Sequence, residues 1–232
     1  MCGRYTIIAK AEEIEKRFNV EVPESYSPTY NAAPTQILPV ITNKSPEGLS
    51  LFHWGLIPKW AKDKNIGSKL INARSESITE KASFKDAFKQ RRCLVIADSF
   101  YEWKRSSKKS KIPYRILLNT KELFAFAGLW EEYEDNDQNM VHTFTIITTS
   151  ANPAISKIHE RMPVILAPES EQIWLNSSVS TEEHINLLKP YDEQKIDNYP
   201  ISPMVNSVSN NNPQLIKPTP PTDQFGNLTL FD

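Results

Sequence analysis

Cysteine is scarce in this 232-residue chain, with only Cys2 and Cys93, and Cys93 lies inside the apolar run Cys93-Leu94-Val95-Ile96-Ala97. Two such residues cannot form a disulfide framework, which excludes the stapled secreted domains and fits a reducing compartment with one buried and one terminal thiol. No basic flank leads into an apolar stretch of signal-peptide length, and no apolar run is long enough to span a bilayer. A cytoplasmic protein without a membrane partner is therefore expected. A Gly-rich phosphate loop, zinc-type Cys/His spacing and an internal repeat are also missing, so no metal and no cofactor are expected. Nothing in the composition marks a second domain.

What is present describes an ordinary globular chain, 39% hydrophobic and 24% charged, long enough to bury a sizeable core. The net charge of −1 conceals a sorting of charge: His53 to Arg115 holds 16 Lys and Arg against 6 Asp and Glu, leaving −11 elsewhere. Such sorting can give a nearly neutral protein one basic face suited to nucleic acid. Solvated helix faces and lysine-rich loops produce the same count.

Cys2 follows the initiator Met1 and is small enough for that methionine to be trimmed. Trimming would put an α-amine, titrating at about 7.7–8.0, and a thiol, at about 8.5, on one residue. An aldehyde can condense with the amine to a Schiff base, and the thiol can then close on the same carbon to give a five-membered thiazolidine. The plainer alternative is a small apolar residue in a first strand.

Along the chain, Cys2–Ile7 reads as a strand, and Ala11, Ile14 and Phe18 make Ala9–Phe18 an amphipathic helix. Val22–Thr35 is too rich in proline for helix or central strand and reads as an ordered surface loop. Strands are expected at Ile37–Thr42 and Leu49–His53. The aromatic turn Trp54–Trp60 could either seal the core or offer an indole to a base. Ile71–Glu76 leads toward a helix at Ser83–Gln90 capped by Ser83, and Cys93–Ala97 is a buried strand continuing into Asp98–Trp103. Glu102, between two aromatics at that strand's end, is placed either to have a raised pKa and move protons or simply to alternate outward. A basic loop, Lys104–Lys111, precedes strands at Ile112–Leu118, Leu123–Leu129 and Thr143–Thr149, with the acidic Glu131–Asp137 as an exposed hairpin loop. Asn152-Pro153 starts a short helix, Pro153–Ile158, that delivers His159, and Val164–Leu166 resumes a strand. Helices follow at Glu169–Leu175 and from Ser180, whose spacing to Glu183 forms a capping box. Composition divides the chain into a domain over 2–218 and a loose tail over 219–232.

Six motifs then stand in one order: Met1-Cys2-Gly3-Arg4-Tyr5, Asn31-Ala32-Ala33-Pro34-Thr35, His53-Trp54-Gly55-Leu56-Ile57-Pro58, Ile71-Asn72-Ala73-Arg74-Ser75-Glu76, Tyr101-Glu102-Trp103 and His159-Glu160-Arg161-Met162-Pro163. Together they resemble the SOS response-associated peptidase family, whose members shield abasic sites in single-stranded DNA. Ser202-Pro203-Met204-Val205-Asn206 resembles the family's closing segment, so the resemblance runs to about Pro218. It implies a single α+β domain with a strongly curved, mainly antiparallel sheet closing toward a barrel, flanked by helices and acting as a monomer. It also implies that the partner is single-stranded DNA bearing an abasic site, whose aldehyde Cys2 would trap.

By the same resemblance Asn72 orients the amine or the opened sugar, Glu102 shuttles a proton and His159 donates to the sugar oxygen. Arg4, Arg74 and Arg161 would contact phosphates, while Trp103 and either Trp60 or Trp54 would stack on bases. A thiol autopeptidase using Cys2 as nucleophile and a non-covalent single-strand-binding module are the two other readings, with strand incision through the Schiff base as a possible side activity.

Overall fold

A computed structural model describes residues 2–229; Met1, on whose removal the terminal chemistry depends, and residues 230–232 lie outside the described residues. In chain order the strands are β1 (Tyr5–Ile7), β2 (Thr29–Ala32), β3 (Ile37–Thr42), β4 (Ser45–Trp54), β5 (Asn72–Arg74), β6 (Arg92–Ala97), β7 (Ser99–Arg105), β8 (Lys111–Leu118), β9 (Phe124–Glu134), β10 (Met140–Ser150), β11 (Arg161–Pro163), β12 (Ile165–Leu166) and β13 (Ile196–Pro200). The helices are α1 (Ala11–Phe18), α2 (Lys85–Gln90), α3 (Pro153–Ser156), α4 (Pro168–Leu175) and α5 (Thr181–Asn186).

Five strands close into a barrel. β4, β3, β6, β9 and β10 pair antiparallel in turn, and β10 returns to β4 through a parallel pairing of Thr143 with His53 and Phe144 with Trp54. Closure removes the sheet edges that would otherwise template aggregation. A small barrel must be filled by its own side chains. Gly128 on β9 lets strands approach closely, since a Cβ there would stand 2.8 Å from Cys93 Sγ and 3.0 Å from Thr145 O. A second, open sheet runs β13-β8-β7-β1-β2, also antiparallel. β6 passes into β7 at Asp98, so one strand path serves both sheets. The expected α+β domain built on a curved antiparallel sheet is what the structure contains, with the barrel fully closed.

Aromatic rings fill the join between the sheets. Tyr5 packs at 5.2 Å from Trp54 and at 6.0 Å, edge-on, from Phe126, while Trp54 stacks on Phe144 at 6.1 Å. Gly55, at φ +132°, then turns the chain away so tightly that a Cβ would meet Gly67 O at 2.7 Å. This turn sends Trp54 inward and Trp60 outward.

Several local expectations change. Thr29–Ala32, read as loop, pairs with β1 as strand β2. Ser83 does not cap α2, whose N-cap is Phe84 without a side-chain bond. Glu131 is buried and ion-paired to Arg91 at 2.8 Å, because the β9 and β10 hairpin continues past the expected loop and alternation turns this residue inward. The capping box of Ser180 and Glu183 is present. Beyond Pro218, Asp223 accepts from Ser110 Oγ at 2.8 Å and from Asn227 N at 2.9 Å. No helix among the described residues is long and apolar enough to cross a membrane.

Candidate active site

Cys2 stands just before β1, whose pairing with β7 brings it beside the end of that strand: Tyr5 faces Phe100, and Tyr101 N donates to Arg4 O at 3.0 Å. The cysteine is fully enclosed, with Sγ 4.0 Å from Arg4 O. Burial pushes its thiol far above the ordinary range, and the neighbouring Glu102 charge adds to the shift. A solvated chain end would hold this thiol partly ionised near neutral pH. Here it keeps its proton, because the thiolate would lose its water and face a carboxylate.

Glu102 lies on β7 opposite Tyr114 of β8 and is 2% exposed. Desolvation raises its carboxyl, while the charge of His159 and a hydrogen bond from the Trp103 backbone pull the other way. The Glu102 charge thus acts on the Cys2 thiol, and the His159 charge acts on Glu102. Burial raises the proton affinity of both the carboxyl and the thiol.

His159 is delivered by α3, which Asn152 caps by accepting from Ile155 N at 2.9 Å. Its Nδ1 accepts from Arg161 N at 3.0 Å and stands 3.2 Å from Arg161 O. The backbone therefore offers a partner to either protonation state.

Asn72 opens β5, which runs parallel to β10 with Asn72 opposite Ile146. Its Nδ2 donates to Ile71 O at 2.8 Å, and Oδ1 is buried without a hydrogen-bond partner among the described residues. A buried acceptor left open in this way is costly and points to a missing donor. Trp54 Nε1 also donates to Ile71 O, at 2.9 Å, and its ring rests on Tyr5, so packed side chains connect Asn72 to the Cys2 strand.

The candidate DNA contacts separate into three kinds. Trp54 is 1% exposed and has no face to offer a base, so it is corrected from a stacking residue to a core residue that fixes Ile71. Trp60 is 56% exposed, its indole making only a long contact to Ala82 O at 3.4 Å, and Trp103 is half-buried with Nε1 donating to Asn206 Oδ1 at 2.8 Å. Among the arginines, Arg74 is exposed on β5. Arg161 is clamped by Glu76 in a two-pronged ion pair and donates to Thr148 O at 2.7 Å. Arg4 is half-buried and bonds to Asn31 Oδ1 and Val205 O, each at 2.9 Å.

Asn31 is the polar residue that the reading of Val22–Thr35 as loop passed over. Its strand pattern could have revealed it, since it alternates with Tyr30 and Ala32. Among the described residues no group of three or more His, Cys, Asp or Glu side chains is arranged to hold a metal.

A small closed barrel joined to an open sheet is a fold shared with proteins of known structure. A crystal structure of a protein from Bacteroides thetaiotaomicron superposes with a TM-score of 0.86 at 30% identity, covering 94% of this chain and all of that one. The abasic site processing protein YoqW of Bacillus subtilis is 47% identical over 222 residues, 94% of this chain and 99% of its own length. The abasic site processing protein HMCES of Rattus norvegicus is 34% identical, over 84% of this chain and 66% of its length. The family profile of the SOS response associated peptidase (SRAP) matches residues 1–208. The chain belongs to that family.

Proposed function

We propose that this protein senses and shields abasic sites in single-stranded DNA in the cytoplasm, forming a covalent thiazolidine through Cys2 once Met1 has been removed. The observation that carries the reading is the enclosure of Cys2 just before a strand that pairs with the one bearing the buried Glu102, within a protein similar to named abasic site processing proteins.

The chemistry follows from these residues. The opened abasic sugar presents C1′ as an aldehyde, with its former ring oxygen as a hydroxyl that takes a proton from the His159 side. The Cys2 amine adds to C1′, and the carbinolamine loses one water to give the imine. Glu102 then removes the thiol proton, sulfur adds to the imine carbon, and that proton goes to the nitrogen, closing the ring. The net change is aldehyde plus aminothiol giving thiazolidine plus one water. The open Oδ1 of Asn72 is a ready acceptor for the amine or the sugar hydroxyl. Arg74 and Arg161 would hold flanking phosphates, and Trp103 and Trp60 would stack on neighbouring bases. Reversal retraces the same steps, and strand incision by elimination from the imine is a side path.

The test is a denaturing gel. Purified protein incubated with a single strand containing one abasic site gives a heat-stable band, Cys2→Ala gives none, and mass spectrometry of the active protein finds Met1 absent. A stable adduct from Cys2→Ala refutes the assignment. If the protein were instead a peptidase, it would turn over a peptide substrate; a purely non-covalent module would bind intact and abasic strands alike, with salt-sensitive affinity and no stable band.

A further inference from the structure

Asn31 is 1% exposed, and its side chain is fully committed at a point where three segments meet. Its Oδ1 accepts from Arg4 Nη1 at 2.9 Å. Its Nδ2 donates to Val205 O at 3.2 Å, Ser207 O at 3.0 Å and Asn210 O at 2.9 Å. An amide can accept from a cation through its oxygen and donate to more than one carbonyl through its two N–H groups; an ionised aspartate can do only the first.

The turn Pro203–Asn206, which Asn31 grips through Val205 O, is also bound by the residues that follow Cys2 and Glu102. Arg4, two residues after Cys2, donates through Nη1 to Val205 O at 2.9 Å and through Nη2 to Asn206 O at 3.4 Å, the latter contact lying at the surface. Trp103, next to Glu102, donates to Asn206 Oδ1 at 2.8 Å. A single turn from the end of the domain therefore holds both the guanidinium that follows Cys2 and the indole that follows Glu102.

We propose that Asn31 is a positioning residue for strand capture: it holds the Pro203–Asn206 turn in the one place from which Arg4 and Trp103 both face the bound strand. The proposal rests on the function proposed above. Asn31 does not supply or remove a proton. It acts through Arg4 and Asn206, so its loss weakens capture of the strand rather than the bond-forming steps. Rim groups held within a fraction of an ångström gain their advantage from preorganisation, and small misplacement is expensive.

The test uses single-turnover crosslinking over a range of strand concentrations, at a temperature where circular dichroism shows each variant folded. Asn31→Asp keeps the acceptor for Arg4 and removes every donor to the turn. The half-saturating strand concentration is expected to rise about tenfold while the limiting rate stays within about twofold, a split that a merely structural role would not produce. The surface variant Asn206→Ala, whose side chain is exposed, should give a shift in the same direction even if Asn31→Asp folds poorly. The double variant should be no worse than the more affected single one, because both act through the same turn. Wild-type half-saturation in Asn31→Asp, or full additivity of the two shifts, overturns the proposal. Should the wild-type protein form no adduct at all, the proposed function fails; the same comparison, read by fluorescence anisotropy on an intact strand, still decides the role of Asn31.

Discussion

Asp98 and Glu102 lie on the same path from β6 into β7, both are buried, and desolvation raises the carboxyl of each. Their surroundings differ. Asp98 sits at the corner where the path changes sheets, and it is surrounded by donors: Thr6 Oγ1, Ile8 N and the Arg115 guanidinium at 3.4 Å. Arg115 in turn donates to Ser99 Oγ and to Tyr199 Oη, each at 2.8 Å. Glu102 is instead coupled by charge to a thiol and an imidazole, both titratable groups. A buried carboxylate ringed by fixed donors holds a fold together. One placed between titratable neighbours is equipped for chemistry.

That distinction is open to attack at several points. The largest effect is expected from Asp98→Asn, which leaves the Arg115 charge, about nine-tenths buried, without its counter-ion. A loss of about 3–5 kcal/mol is expected in denaturant unfolding, while adduct formation per folded molecule is unchanged below the transition. An intact fold with lost adduct formation would erase the distinction.

Glu102→Gln should do the opposite. The adduct rate is expected to fall about a hundredfold. The wild-type rate should rise with pH through the raised Glu102 pKa, and the glutamine variant should lack that limb. The stability effect has a definite sign: the folded state holds this proton more tightly than the unfolded one, so the Glu102 contribution is full below the ordinary 4.5 and is lost as pH climbs through the raised value. Glu102→Gln should therefore be more stable than wild type at pH 8, as read by melting temperature. A less stable variant there would make Glu102 structural.

The smallest effect belongs to a third carboxylate, Glu76, which is half-exposed and sits on Arg161 where a phosphate would bind. Arg161 holds the Glu76 carboxyl below its usual range. An exposed pair of this kind is worth about 0.2–1 kcal/mol, so Glu76→Gln should tighten non-covalent binding of an intact strand about two- to fivefold, with a steeper salt dependence. Weaker binding would mean that Glu76 orients Arg161 rather than competing for it.

Periodic and capping signals were legible in the chain. The spacing of Ile14 and Phe18 marks α1, and Ser180 with Glu183 marks the start of α5, because both depend on neighbours a few residues away. The terminal cysteine was also readable, since it depends on residue type and position alone. What local pattern could not show was the direction of a side chain after a tight turn. Trp54 and Trp60 belong to one aromatic stretch, yet the positive φ at Gly55 buries the first and exposes the second. Glu131 looked solvated within an acidic run, but pairing across β9 and β10 turned it toward Arg91. Likewise the ionisation of the Cys2 thiol depends on enclosure by groups distant in sequence, so a solvated end misjudges it.

The bond between Arg4 and Val205 spans almost the whole chain. During synthesis the amino end leaves the ribosome first, and the turn that anchors the residues beside it is among the last parts of the domain to emerge. In a nascent or truncated chain the thiol at the amino end thus lacks the groups that enclose it in the finished domain. Enclosure of this thiol arrives only with completion of the domain, and the amino end is made before the vessel that contains it.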